Sequence, residues 1–549
     1  MQSAAHQIPT KIHILKSQTK HTPRNTIMVM DYHFLVFSSL AAIIYGALRV
    51  SYSIWWKPKS LERKLKQQGI TGTSYKPLLG DMKDFIKHIT ESWSKPINLN
   101  HQIAGRVDPF TLNIVQKYGN VAMFWFGKTP KVIIKDPELI QEVLSNKLGH
   151  FGKPPLNPLI LILARGLTVL EGEKWAKHRK IINPAFHLEK LKGMLPAFGL
   201  SCSNMIAQWN EMVGPQGTCE VDAWPELQKL TMDAISRAAF GSSYEQGKKI
   251  FQLQKELILL VMEAMQTLYI PGFRFLPTKK NLRRKTLDRE ITSTLRGIIE
   301  EKQNAMRAGE SRTDDLLGLL LQSNEQNNQS ESTSSKKGDH GLTIEEVIEE
   351  CKVFYVAGQE TTSSLLTWTM IVLAMHPDWQ EKARQEVMQV CGKDEEPTFE
   401  ALTHLKIVTM ILNEVLRLYP PAIALYQHTY RETKIGNLSL PAGVDVTLPI
   451  LLIHHDTQLW GNDADEFKPE RFSEGVAKAS SKHRLAFFPF GWGPRTCIGQ
   501  QFAILEAKMA LAMILHNFSF KLSPSYAHAP NTVMLLQPQH GAQLILHKL

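Results

Sequence analysis

Residues 487–500 read FFPFGWGPRTCIGQ and run straight into QFAILEAKMALAMILHNF at 501–518. The second string carries apolar residues at helical spacing, so a helix is expected there, with Cys497 at or just before its N-terminus. Amide donors and the helix dipole at such a place lower a thiol's pKa. Gly491, Gly493 and Gly499 permit a tight loop and close approach of backbone to a flat ligand. Pro494 stiffens that loop, and Arg495 offers a planar fork that suits a carboxylate. A thiolate presented this way can bind a metal. The bland alternative is a glycine-rich turn around one more buried cysteine.

The other four cysteines (Cys202, Cys219, Cys351 and Cys391) are scattered. An odd total with no CxxC pair indicates neither a disulfide framework nor a zinc site. They read as small buried hydrophobes. With 549 residues, 43% hydrophobic and 21% charged, the chain can bury a sizeable core. Lys and Arg outnumber Asp and Glu by 63 to 52. That balance points to anionic partners, a lipid surface or an acidic protein, though a generic basic surface accounts for most of it. Nucleic acid is not expected, since zinc spacing, RNP-like strings and dense basic runs are all missing.

From Tyr32 to Leu48 the chain carries seventeen residues without Lys, Arg, Asp or Glu. This is the short end of what spans a bilayer, where about 20 apolar residues are needed. Tyr52, Trp55 and Trp56 extend it as an aromatic belt. Lys57, Lys59, Arg63, Lys64 and Lys66 follow, favouring the cytosolic side for what comes after. Lys11, Lys16, Lys20 and Arg24 lie upstream, so the asymmetry is modest. A retained signal anchor is the preferred reading. A cleaved secretory peptide lacks a clear small-residue cleavage site, and a transit peptide remains open because residues 1–30 are basic and acid-free. Met28 and Met30 are further possible starts.

After a basic linker, GITGTSYKPLLGDMKDF is expected as a turn-rich lead into the globular part. The polar stretch SNEQNNQSESTSSKKGDHG at 323–341 reads as a flexible surface loop. Thr343 and Glu346 then form a T-x-x-E capping box, and a helical pattern continues to Pro377. More than thirty helical residues cover about 48 Å, enough to cross a domain. KVIIKDP, VDVTLP and AQLILHK are β-prone. The expected class is mainly α with small sheets.

Taken together, Phe490, Gly493, Arg495, Cys497 and Gly499 resemble the haem-binding signature of the cytochrome P450 superfamily. The resemblance implies that Cys497 is the iron's thiolate ligand and that haem b is the cofactor. It extends to other strings. NEVLR at 413–417 puts Glu414 and Arg417 on one helix face, and PERF at 469–472 adds Arg471. These are similar to the superfamily's ExxR motif and its partner arginine, which implies a structural network. AGQETT at 357–362 places Gly and Thr in a helix interior, a local conflict that suggests function. Ala357 and Gly358 are small enough to leave room for a ligand. The Thr361 hydroxyl is suited to bend the helix and hold water, with Glu360 as a proton source. Trp175 and Arg179 resemble a W-x-x-x-R pair that contacts a haem propionate. An arginine common in the strand after the ExxR helix has Gln427 or His428 near its place, with Arg431 later, and the sequence leaves the choice open.

The resemblance covers nearly everything after the anchor. Strings such as HHDTQLWGNDADEFKPERF are similar to the plant family containing secologanin synthase and triterpenoid oxidases. WWKPKS stands where a proline-rich hinge is usual. The implied protein is a monooxygenase that inserts one oxygen atom of O2 into an apolar small molecule, with a terpenoid favoured. Its electrons come from an NADPH-cytochrome reductase docked on a basic face. The implied location is the endoplasmic reticulum membrane, single-pass, with the plastid envelope less favoured. A haem-thiolate isomerase or dehydratase is one rival, disfavoured by the Glu360–Thr361 pair, and an inactive haem- or lipid-binding membrane protein is another. The expected layout is a basic extension at 1–30, an anchor helix at 31–56, a linker at 57–80 and one haem-thiolate monooxygenase domain at 81–549.

Overall fold

The computed structural model describes residues 24–549 except 148, 164, 242–243, 266–271, 310–314, 333–340, 393–395 and 481, with side chains from Tyr32 onward save at 244–246 and 326–332. Residues 1–23 of the expected basic extension lie outside the described residues. The chain divides into two units, residues 1–57 and 58–549.

In the first unit, the apolar run sits in a helix Arg24–Ser51 that closes in a π-helical turn, Tyr52–Trp56. Phe34, Leu35, Phe37, Ile43, Ile44, Tyr45 and Leu48 are all exposed. A row of large apolar side chains held in the open fits an apolar medium. The helix is long and apolar enough to cross a membrane.

The second unit begins earlier than expected. Residues 57–80, expected as a linker, hold the helix Lys57–Gln67, stapled by Glu62 to Lys59 and Lys66 at 2.8 and 2.9 Å. They also hold the strand Thr71–Gly72, which pairs in parallel with Ala122 and Met123. Leu65 and Ile70 are fully buried, so this stretch belongs to the core.

The central sheet has six strands in the order Thr71–Gly72, Val121–Phe126, Thr129–Ile134, Asp445–Leu448, Leu425–Thr429 and Phe151–Gly152. Its last pairing is antiparallel and sets Gly152 opposite His428. A three-stranded sheet joins Phe518–Leu522, Gln543–Lys548 and Thr218–Asp222. The β-prone runs noted above supply strands in both. Helices make up most of the rest.

The helix Ile344–Met375 runs for 32 residues and begins with the capping box, both reciprocal bonds of Thr343 and Glu346 being present. At its far end His376 leaves helical geometry and Pro377 opens the next helix, as proline allows at a first turn. The polar stretch 323–341 departs from expectation. The helix Leu316–Ser332 continues through its first ten residues, and residues 333–340 lie outside the described residues. Ser323 and Asn324 explain the continuation. Ser323 Oγ accepts the Leu342 N–H at 3.1 Å, and Asn324 Nδ2 donates to the Leu342 carbonyl at 2.7 Å. Two buried polar groups are thus satisfied by chain that returns beside the helix.

Candidate active site around Cys497

Cys497 lies between a 3-10 turn, Gly493–Arg495, and the helix Gln500–Asn517, whose N-cap is Gly499. Its N–H donates to the Phe490 carbonyl at 2.8 Å, closing the loop. Gly491 and Gly493 have φ of +74° and +76°. A Cβ on Gly493 would sit 2.4 Å from the Leu144 carbonyl oxygen, so only glycine fits there. Gly499 differs. Its φ is −87°, and a Cβ would meet nothing nearer than Phe186 at 3.9 Å. Neither backbone strain nor protein packing requires glycine at 499, whereas a flat group laid against the loop would.

The thiol of Cys497 is solvent-accessible. Burial nevertheless pushes its pKa above the usual 9.0, against the Gly499 N–H and the Arg179 charge, which both pull it down. Cys497 is thus open at its surface yet closely surrounded. The Gly499 N–H and the Arg179 charge oppose the burial without outweighing it, and a bound cation would lower the thiol's pKa further.

Three cationic or aromatic side chains converge on this loop. Arg179 Nη1 donates to the Thr496 carbonyl at 2.9 Å. The Arg495 guanidinium lies 4.5 Å from the Trp175 ring centroid. Its Nη2 engages Glu171 at 2.5 Å and the Leu170 carbonyl at 2.8 Å. Nε and Nη1 of Arg495 have no partner among the described residues. The spacing W-x-x-x-R thus brings Trp175 and Arg179 to the loop from the helix Gly172–Ile182. Glu171 gave no sequence signal beyond being an acid ahead of a helix.

The long helix has a matching gap in its burial. Val347 to Tyr355 is mostly buried and Thr362 to Leu373 entirely so, but Ala357 is exposed and Val356, Glu360 and Thr361 are half-buried. The Thr361 hydroxyl donates to the Ala357 carbonyl at 2.6 Å, the back-bond its position suggested. Burial raises the Glu360 pKa above the usual 4.5, opposed by Lys255 and Gln359. Gly358 corrects an expectation. Its Cβ would fall 2.8 Å from Ile235 Cδ1, so its smallness serves packing against the helix Ala223–Phe240 and leaves no room for a ligand. Phe186 stacks on Phe354 at 5.7 Å and edges onto Phe502 at 6.3 Å, linking the long helix to the helix behind Cys497.

Glu414, Arg417 and Arg471 form a separate, buried node. Glu414 takes a two-pronged bond from Arg417, 2.8 and 2.7 Å, and lies 3.5 Å from Arg471 Nε. Arg417 also donates to the carbonyls of His454, Ala464 and Glu466. His454, which sequence reasoning did not single out, relays this node to the ligand loop. Its Nε2 accepts the Phe488 N–H at 3.2 Å, and its ring stacks on Phe487.

Of the residues left open near Gln427, His428 is committed to Asp445 at 2.7 Å and Arg431 is exposed. Gln427 is buried and neutral.

The Cytochrome P450 family model matches residues 94–546. The chain belongs to the cytochrome P450 family. It is 55% identical over 520 residues to "Cytochrome P450 CYP72A616" of Paris polyphylla, covering 94% of this chain and 99% of that protein. It is 54% identical over 513 residues to "11-oxo-beta-amyrin 30-oxidase" of Glycyrrhiza uralensis, covering 93% and 97%. The likeness to plant triterpenoid oxidases is therefore borne out. Among solved structures, "Retinoic acid bound cyanobacterial CYP120A1" superposes with a TM-score of 0.71 at 23% identity, covering 87% of this chain and 99% of that one. That likeness bears out the expected fold. This cytochrome P450 is accordingly an oxidoreductase of the monooxygenase class, and its family implies a haem-thiolate iron.

Proposed function

We propose that this cytochrome P450 is a membrane-anchored oxidase of an apolar plant terpenoid, with Cys497 as the ligand of its haem iron. The observation that carries the reading is the exposed Cys497 in a tight glycine loop, beside Arg179 and Arg495, with a Gly499 that the protein's own packing does not explain. When bound, the haem supplies the activation of O2 and its insertion into a C–H bond. The chain supplies the rest. Cys497 would supply the sulfur that holds the iron. Arg495, through its free Nε and Nη1, and Arg179 and Trp175 beside it would hold the haem carboxylates, while Phe490 and Gly499 would shape the loop to the ring. Glu360, kept protonated more readily by burial, and Thr361, one residue on, would hold and pass protons at the least buried stretch of the long helix. Glu414, Arg417 and Arg471 hold the core behind the loop.

Electrons are proposed to come from an NADPH-cytochrome reductase attracted by the net positive charge, and the compartment to be the endoplasmic reticulum. A terpenoid substrate follows from likeness to a relative whose name describes a triterpenoid 30-oxidase. The test is to express the full chain with a plant NADPH-cytochrome reductase in microsomes. The reduced carbon monoxide complex should give a thiolate-type band that Cys497→Ser removes, and a terpenoid panel should yield an NADPH-dependent product carrying added oxygen. A Cys497→Ser protein with an unchanged band would overturn the ligand assignment, and a fully loaded enzyme inert toward every terpenoid offered would overturn the substrate class.

A further inference from the structure

Arg417 and His454 grip each other reciprocally. Arg417 Nη1 donates to the His454 carbonyl at 2.8 Å, while His454 Nδ1 faces the Arg417 carbonyl at 3.2 Å. The opposite ring nitrogen, Nε2, lies 3.2 Å from the Phe488 amide nitrogen. An amide N–H can only donate, so Nε2 carries no proton. A carbonyl can only accept, so the proton sits on Nδ1. One neutral tautomer satisfies both contacts, and an imidazolium would break the second. Burial, and then the Arg417 charge, hold the His454 pKa well below 6.5, which agrees with a neutral ring.

Phe488 starts a short ladder of bonds that ends at the sulfur-bearing residue. Its carbonyl accepts the Gly491 N–H at 2.9 Å, and the Phe490 carbonyl between them accepts the Cys497 N–H at 2.8 Å. The backbone of Cys497 is thus joined through residues 488–491 to His454, and through His454 to the Arg417–Glu414 pair. His454, Phe487 and Phe488 are all buried, so a lost acceptor there is not replaced by solvent. Two holds act at this joint. Nε2 takes the Phe488 amide, and the ring stacks on Phe487 with centroids 5.4 Å apart. A stack tolerates sliding in the ring plane, whereas a hydrogen bond fixes distance and direction.

We propose that the Nε2 acceptor of His454 is the positioning group for the Cys497 sulfur, fixing the 488–491 backbone and so the place where the thiol stands. This rests on the haem-thiolate reading. His454 acts on Cys497 through Phe488 and Phe490.

The experiment uses the full chain in three variants. His454→Gln keeps an acceptor near the place of Nε2, His454→Phe keeps a stacked ring without one, and Phe487→Leu removes the stack alone. Haem-free protein in detergent is read by backbone hydrogen exchange across residues 487–491. Haem-loaded microsomes are read by the rate at which the reduced carbon monoxide complex passes from a thiolate-type to a thiol-type band. His454→Phe should raise both rates about tenfold, the effect of one buried N–H left without its acceptor. His454→Gln and Phe487→Leu should stay near wild type.

Wild-type rates in His454→Phe would overturn the proposal. So would faster exchange with an unchanged band, because the joint would then not reach the sulfur. A His454→Gln protein as fast as His454→Phe would assign the effect to ring packing and overturn it too. Where His454→Phe yields no folded protein, the other two decide: His454→Gln faster than Phe487→Leu overturns the proposal, and the reverse order supports it. A wild-type protein without the thiolate-type band would overturn the haem reading and this inference together, whatever the exchange shows.

Discussion

Gly358 and Ile235 meet so closely that a single methyl group on the glycine would lie 2.8 Å from the isoleucine's Cδ1. The glycine in the middle of the long helix is therefore a packing device. It seats one buried helix against another just where the long helix is least buried.

Gly358→Ala is expected to destabilise the folded protein by about 1–3 kcal/mol through overpacking. Trimming the partner, in Gly358→Ala with Ile235→Val, should recover part of that loss. A double-mutant cycle on thermal unfolding measures the coupling. Simple additivity would show that the contact does not decide the cost.

Arg417→Lys should be among the most damaging conservative changes in the chain. Lysine cannot reproduce the two-pronged bond to Glu414 or reach three carbonyls at once. Both partners are fully buried, so the expected loss is about 3–5 kcal/mol. Yield of folded, haem-loaded protein and urea unfolding read the effect. A variant that unfolds at the wild-type midpoint would contradict the role assigned to the node.

Glu506, in the helix behind Cys497, is 1% exposed. Burial raises its pKa well above 4.5, and the Thr362 hydroxyl offsets only part of that. The folded chain thus keeps a proton that the unfolded chain releases above pH 4.5. Stability from this group is present below that pH and is lost as pH rises through the folded pKa, by about 1.4 kcal/mol per unit. Glu506→Gln should therefore melt higher than wild type at about pH 8, with the gap closing toward pH 4.5. A constant gap across that window would refute the assignment.

His101 behaves in the opposite sense. Its Nδ1 lies 2.9 Å from the Tyr419 hydroxyl and its Nε2 lies 3.0 Å from His376 Nε2. Burial, and then the His376 charge, lower its pKa to about 3 from 6.5. Stability from keeping it neutral is complete above pH 6.5 and is lost as pH falls toward 3, by about 1.4 kcal/mol per unit. His101→Gln should flatten the acid limb of a melting-temperature profile. An acid limb of unchanged slope would assign the acid sensitivity to other groups.

The legible parts of this molecule were those written in one short stretch of chain. The Cys497 loop, the Thr343–Glu346 cap and the Glu414–Arg417 pair depend on neighbours within about a dozen residues: Cys497 N–H bonds to the Phe490 carbonyl, Thr343 and Glu346 bond reciprocally, and Arg417 bonds to Glu414. What escaped depends on partners far along the sequence. Nothing near Gly358 announces Ile235, and nothing near Arg417 announces the carbonyls of His454 and Ala464. The helix through 323–332 persists in a polar stretch because Leu342 returns to it, a tertiary override of local composition. The strand at Thr71–Gly72 is two residues long and exists only through its pairing with Ala122 and Met123.

The close approach of Gly493 to the Leu144 carbonyl has a consequence for inheritance. The loop that presents the sulfur is seated on the last turn of the helix Pro137–Ser145, which contributes no atom to the proposed chemistry. Residues 487–500 are therefore not a portable cassette. A chimera that carries them without a matching helix end would keep every letter of the signature and mis-seat the cysteine. In the divergence of such chains the two segments are constrained to change together, and a tolerated substitution at either should be sought first at the other.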